Sequence, residues 1–339
     1  MKKMTNVLIL SAGRRVELVN CFKNARDRLG IKGNIVAADC SELAPALYFA
    51  DMNEIVPRIS EGEAYVDAII SICNNLDIAL IVPTIDTELI LLAENKKKIE
   101  SSSNAKLLVS DENVISVCRN KKNTQKFLEK HGFLVPKMFT DEELDDPEIQ
   151  AKIEFPLFIK PLDGSSSINA FKVNNLEELE TYRKLIDRPI VQDYMEGTEY
   201  TVDVFLDFES HVITVVPRVR IATRSGEIAK GLIIRDRDIM RDVTRLMQIL
   251  KPIGHITVQC MKTKRGIEYI EINPRFGGGA PMSIMAGADS CENVYRLLSG
   301  EKLEYNENFR DHLTFLRFDQ SIMLNENMER EYEYEGSYF

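Results

Sequence analysis

The chain has 339 residues, 44% of them hydrophobic, which is enough for two or three structural domains with cores of their own. A formal charge of −10, from 43 basic and 53 acidic residues, argues against non-specific attraction to nucleic acid or to an anionic membrane surface. Six scattered cysteines without a CxxC pair, and four histidines without HxxxH or HExxH spacing, offer neither a disulfide framework nor a zinc site.

Lys2 and Lys3 ahead of an apolar run imitate a secretory signal, but Arg14 and Arg15 cut that run short. A first β-strand fits better, and a cytoplasmic chain is expected. No apolar run approaches the ~20 residues that a membrane span needs. Short β-like runs at 6–10, 34–38, 54–57, 78–83 and 106–109 alternate with helical stretches at 15–29, 62–74 and 86–99. That rhythm predicts βαβ units and a parallel, Rossmann-like sheet in an α/β domain over residues 1–112. Helices are expected at 111–118 and 120–131, with Gly132 as a stop and Pro136 beyond it.

Residues 113–190 then read as those helices plus a small α+β lobe with strands at 157–160 and 169–173 and a helix at 176–186. Residues 191–324 read as an antiparallel sheet, with strands at 190–194, 200–208, 211–222, 255–262 and 267–273 and a helix at 238–251. The acidic and aromatic segment 325–339 has no period; a mobile tail and a partner-binding strand both fit it.

Chemistry concentrates in Glu271-Ile272-Asn273-Pro274-Arg275. Residues two apart on a strand share a face, so Glu271 and Asn273 project together, and Gln259 on the neighbouring strand adds a third hard oxygen of the kind magnesium takes. Arg275 follows with a planar fork of donors suited to phosphoryl oxygens. Lys160 ends a buried-looking strand before Asp163-Gly164-Ser165-Ser166-Ser167, a cation beside a small-residue loop that suits a polyphosphate, although a surface turn also fits it. Around Gln192, Asp193 and Tyr194 an apolar strand offers backbone groups to an adenine edge, and Glu199 offers acceptors to ribose hydroxyls. Lys121 is placed to add charge near the phosphates, although a solvated helix face fits its spacing equally.

For a second substrate the candidates are Arg218 and Arg220, with Arg224 on the same strand, where a solvated strand face is the competing reading. Gly278 and Gly279 would let a ligand approach the backbone closely. Asp86 and Glu88 follow a parallel strand at its carboxyl end, where such sheets bind ligands, although Asp86 also suits a helix cap.

In this order, Asn120-Lys121-x-x-Thr124, FPLFIKP with its small-residue loop, VQDYMEGTEYTVDV, TVQ at 257–259 and EINPRFGGG at 271–279 resemble the ATP-grasp superfamily. The likeness runs over about residues 1–300, to the branch of carbamoyl phosphate synthetase modules and stand-alone amino-acid ligases. It implies a pre-ATP-grasp domain, a small lid subdomain and a C-terminal antiparallel sheet that clamps ATP. By the same resemblance Lys121 and Lys160 contact phosphates, Gln192 to Tyr194 line adenine and Glu199 holds ribose. Gln259, Glu271 and Asn273 bind magnesium, for which manganese could substitute, and Arg275 steadies the transferring phosphoryl group.

Gln259 stands where many relatives have an acidic residue. The implied activity is an ATP-dependent carboxylate–amine ligase working through an acyl phosphate on small-molecule substrates. A carboxyphosphate-forming module and a non-catalytic nucleotide binder are the alternatives, and a homodimer is the default assembly. A dinucleotide-dependent oxidoreductase is disfavoured, since Ser11-Ala12-Gly13-Arg14-Arg15 lacks the GxGxxG spacing.

Overall fold

The computed structural model describes residues 4–162, 168–224 and 226–331. Its first unit is a five-stranded parallel sheet of β1 (Asn6–Ile9), β2 (Ile35–Asp39), β3 (Met52–Ile55), β4 (Ile78–Val82) and β5 (Lys106–Leu107), in the order β3-β2-β1-β4-β5. The central strands are apolar throughout because both faces are covered. Val7 and Ile9 face Val19 and Phe22 of helix Val16–Arg28, whereas Leu8 faces Val66 and Ile69 of helix Glu63–Asn75. The chain runs outward from β1 to β3 and then returns beside β1 with β4. The loops that follow β1 and β4 therefore open together at the switch point, where open α/β sheets hold their ligands.

The lid is an antiparallel sheet of β6 (Met138–Phe139), β7 (Leu157–Pro161), β8 (Phe171–Val173) and β9 (Pro189–Asp193), in the order β6-β9-β7-β8. Helix Leu176–Leu185 covers it, with Leu179 packed against Leu157, Ile159 and Val173.

The largest sheet contains β10 (Gly197–Leu206), β11 (Val212–Arg224), β12 (Glu227–Ile233), β13 (Gly254–Thr263), β14 (Gly266–Asn273) and β15 (Thr314–Leu316), in the order β14-β13-β10-β11-β12-β15. One face rests on helix Arg237–Leu250, whose Ile239, Met240, Val243, Leu246, Met247 and Leu250 recur at helical spacing and are all buried. Asp236 caps that helix by accepting from the Asp238 and Ile239 amides, and left-handed Lys251 before Pro252 ends it. Tyr200, Val202, Val204, Ile256, Val258 and Cys260 fill this core. Alternation then turns Thr201, Asp203, Thr257 and Gln259 to the opposite face, which carries the site.

The expected helix over 86–99 is divided. A 3-10 turn at Asp86–Glu88 leads into helices Leu89–Glu94 and Lys96–Ser102, separated at Asn95. Strand β12 and helices Ala280–Met285 and Ser290–Leu298 were not apparent from sequence periodicity. Of the terminal segment, Arg330 is held over the Phe49 ring and donates to the Tyr48 carbonyl, so the chain returns to the first domain.

Candidate active site

Two adjoining cavities, of about 330 and 320 Å³, lie between the lid, the large sheet and the first domain. Lys121, Arg220, Gln259 and Glu271 line both and so mark where they meet. Gln259 and Glu271 are directly opposite across β13 and β14, and Thr257 is opposite Asn273. The Asn273 amide donates to Glu271 Oε1 at 2.8 Å, which leaves its own carbonyl oxygen for another partner. One carboxylate and two amide oxygens at this junction suit a hard divalent cation whose remaining ligands come from phosphates.

Lys160 enters from the lid, at the end of β7. Burial pushes its ammonium down to about 8; Glu271 opposes that shift and Lys121 reinforces it. The lysine of one lobe and the carboxylate of the other therefore face a common cleft. Lys121 Nζ donates to the Pro161 and Leu162 carbonyls at 3.1 and 2.9 Å, where β7 gives way to the small-residue loop. Gly164, Ser165 and Ser166, expected at the phosphates, lie outside the described residues.

The smaller cavity has apolar walls from Phe158, Met195, Met261 and Ile270, with Gln192 and Tyr194 along one edge. Asp193 does not join them. Strand alternation turns its carboxylate to the other side, near Arg265 and Lys137, and its backbone N–H, expected at an adenine edge, is bound to the Lys137 carbonyl instead. Glu199 lines this cavity, 2.9 Å from Arg220 Nε. Burial raises its carboxyl, Arg220 counters that, and Glu271 adds to it. Arg220 is further fixed by Thr201 Oγ1 and the Gly226 carbonyl, at 3.2 and 3.0 Å.

The larger cavity extends toward the first domain. Arg275 reaches it but is clasped by Asp86 Oδ2, 2.6 Å from Nη2 and 3.2 Å from Nε. Arg218 lines the same cavity, bonded to the buried Asp203 through Nε and Nη2, and Gly278 and Gly279 form part of the wall. Glu88 is elsewhere. It is fully buried and accepts from Ser11, Tyr65 and the Thr84 and Ile85 amides, so it braces the loop after β4 and is removed from the substrate candidates. Arg224, farther along β11, pairs with Asp319 at the surface.

Sequence reasoning missed Arg15 and Glu227, which meet at 3.1 Å in the larger cavity. The signal for Arg15 was its position just after β1, at the same switch point that singled out Asp86. Glu227 opens β12, which periodicity had not revealed.

Residues 118–279 match the family model described as "ATP-grasp domain", and residues 7–106 match "PylC-like, N-terminal domain". The chain thus carries an ATP-grasp domain, with a PylC-like N-terminal domain in front of it. It is 32% identical over 117 residues to D-alanine–D-alanine ligase of Fusobacterium nucleatum, covering 34% of this chain and 38% of the relative. It is 23% identical over 182 residues to carbamoyl-phosphate synthase of Methanobrevibacter smithii, covering 54% and 48%. The chain thus spans less than half the length of these two curated relatives. Among solved structures, the biotin carboxylase domain of Hydrogenobacter thermophilus 2-oxoglutarate carboxylase, determined with MgADP and bicarbonate, superposes with a TM-score of 0.69. That match covers 92% of this chain and 74% of the other at 18% identity, a likeness of fold. Among the described residues no helix is long and apolar enough to cross a membrane.

Proposed function

We propose that this protein is an ATP-dependent carboxylate–amine ligase that forms a C–N bond through an acyl phosphate. The observation that carries the reading is the meeting of Lys160, Lys121 and Glu271 where the two cavities join. A nucleotide in the smaller cavity would present its γ-phosphate there, to a carboxylate held in the larger one. The carboxylate oxygen attacks phosphorus, the bond to the β-phosphate oxygen breaks and ADP leaves. The amine nitrogen then attacks the acyl carbon, phosphate departs and the nitrogen releases its proton. A magnesium ion, when bound, would supply positive charge that offsets the charge of the phosphates.

Gln259, Glu271 and Asn273 are assigned to hold that ion, Lys160 and Lys121 to hold the phosphates, and Glu199 and Gln192 to hold the nucleoside. Arg275, once released from Asp86, is assigned to the transferring group. The likeness to a D-alanine–D-alanine ligase supports an amine acceptor. The test is magnesium-dependent ADP release across a panel of carboxylates and amines, with hydroxylamine to trap the acyl phosphate. ADP release that no carboxylate increases would overturn the reading.

The state of Lys160 adds a pH prediction. Its ammonium titrates at about 8 in the free protein, and phosphates would hold it charged, so nucleotide binding draws in a proton above that pH. MgADP affinity is expected to be flat below pH 8 and roughly tenfold weaker by pH 9. Lys160→Arg, charged throughout, should flatten the profile when calorimetry is run in buffers of different ionisation enthalpy. A wild-type affinity that stays constant from pH 7 to 9.5 removes Lys160 from the phosphates.

A further inference from the structure

Two glycines of the larger cavity are small for a reason other than backbone conformation. Neither Gly278 nor Gly279 has a positive φ, so the turn itself would accept other residues. A Cβ on Gly278 would lie 2.5 Å from Arg15 Nη1 and 2.8 Å from Glu227 Oε1. A Cβ on Gly279 would lie 2.6 and 2.8 Å from Arg218 Nη1 and Nη2. The space that side chains there would fill is taken by the tips of two guanidinium groups, one from each domain.

The Arg218 tip lacks an acceptor. Arg218 is 1% exposed, with Nε and Nη2 on Asp203, while Nη1 is buried without a partner. A buried donor on a cation is costly to leave unmatched, and the rigid Asp203 contact prevents it from swinging away to find one. Arg15 shares Glu227 with Arg14 and Arg317, and Arg317 also reaches Glu17, so three guanidinium groups meet two carboxylates and positive charge is left over at this end. The same cavity holds the opposite need as well. Asp86 keeps Arg275 on Oδ2, and its Oδ1 is buried with no partner.

Resting on the ligase reading above, we propose that Arg15 and Arg218 form a subsite over Gly278 and Gly279 for a free carboxylate. We further propose that Asp86 receives the ammonium of the same molecule. The substrate class is then a small amino acid, which a cavity of about 330 Å³ can enclose. The first domain becomes part of the specificity apparatus, since Arg15 and Asp86 both come from its switch-point loops.

The experiment is calorimetric titration of the full chain with the twenty protein amino acids, each beside its α-amide and its N-acetyl derivative, with and without MgADP. Inorganic phosphate is titrated as a separate arm. At least one amino acid should bind, with its amide and N-acetyl forms at least tenfold weaker. Gly278→Ala and Arg15→Gln should each weaken that amino acid at least tenfold. Equal binding of the amide, indifference to Gly278→Ala, absence of binding by every amino acid, or competition by phosphate at equal affinity each overturns the subsite. MgADP affinity, read in the same cell, separates this failure from that of the nucleotide site. Loss of MgADP binding sinks the ligase reading, whereas MgADP binding without discrimination among amino acid derivatives sinks only the subsite.

Discussion

Glu271→Gln is expected to lower magnesium-dependent turnover at least ~100-fold while leaving the fold intact. Glu271 is the one carboxylate in the trio with Gln259 and Asn273, and it stands where the two cavities join. The amide has the same shape and can still accept from the Asn273 side chain, so the strand pairing has no reason to change. What disappears is a negative charge, and with it the strongest ligand in the proposed metal set. A second readout follows. Glu271 holds the Lys160 ammonium up against burial, so the pH at which MgADP affinity begins to fall should move below 8 in the variant. Turnover within tenfold of the parent, with an unmoved pH profile, would remove Glu271 from the site.

Asp203→Ala is expected to destabilise the protein by ~3–5 kcal/mol, because it strands the buried Arg218 guanidinium without its counter-charge. Asp203 is 2% exposed and is also approached by Ser283 Oγ and by His255 Nε2 at 3.5 Å. Burial alone would raise its carboxyl, but Arg218, the nearby His255 and the hydrogen bond from Ser283 outweigh that and hold it well below the usual range. Because the folded value is depressed, the stabilisation is complete above about pH 4 and is lost as pH falls further. Chemical denaturation at pH 7 measures the cost. Arg224→Ala is the comparison, since the Arg224–Asp319 pair is about three-quarters exposed and should be worth under ~1 kcal/mol. Similar losses in the two variants would contradict the role given to burial.

Some of the site was legible because it is local. Glu271 and Asn273 share a face by strand alternation alone, and the turn at Lys264, Arg265 and Gly266 brings Gln259 opposite Glu271. Alternation likewise separates the Asp193 carboxylate from the Gln192 and Tyr194 side chains, whereas the capture of its N–H by the Lys137 carbonyl depends on pairing across the lid sheet. Glu88 misled for a different reason. It and Asp86 are two residues apart in a 3-10 turn, so one reaches the cavity while the other turns into the core, and only packing against Tyr65 and Ser11 settles which.

By itself the amino-acid sequence determined the parallel first domain, the antiparallel later sheet and the strand that carries the Glu271–Asn273 pair. Each of these follows from hydrophobic period and chain stereochemistry, which act over a few residues. Tertiary structure decided that Arg275 is clasped by Asp86, 189 positions earlier in the chain, and that Arg15 meets Glu227, 212 positions later. It also decided that Lys160 faces Glu271. Such meetings depend on how the first domain and the lid close over the large sheet, and no local pattern of residues encodes that closure.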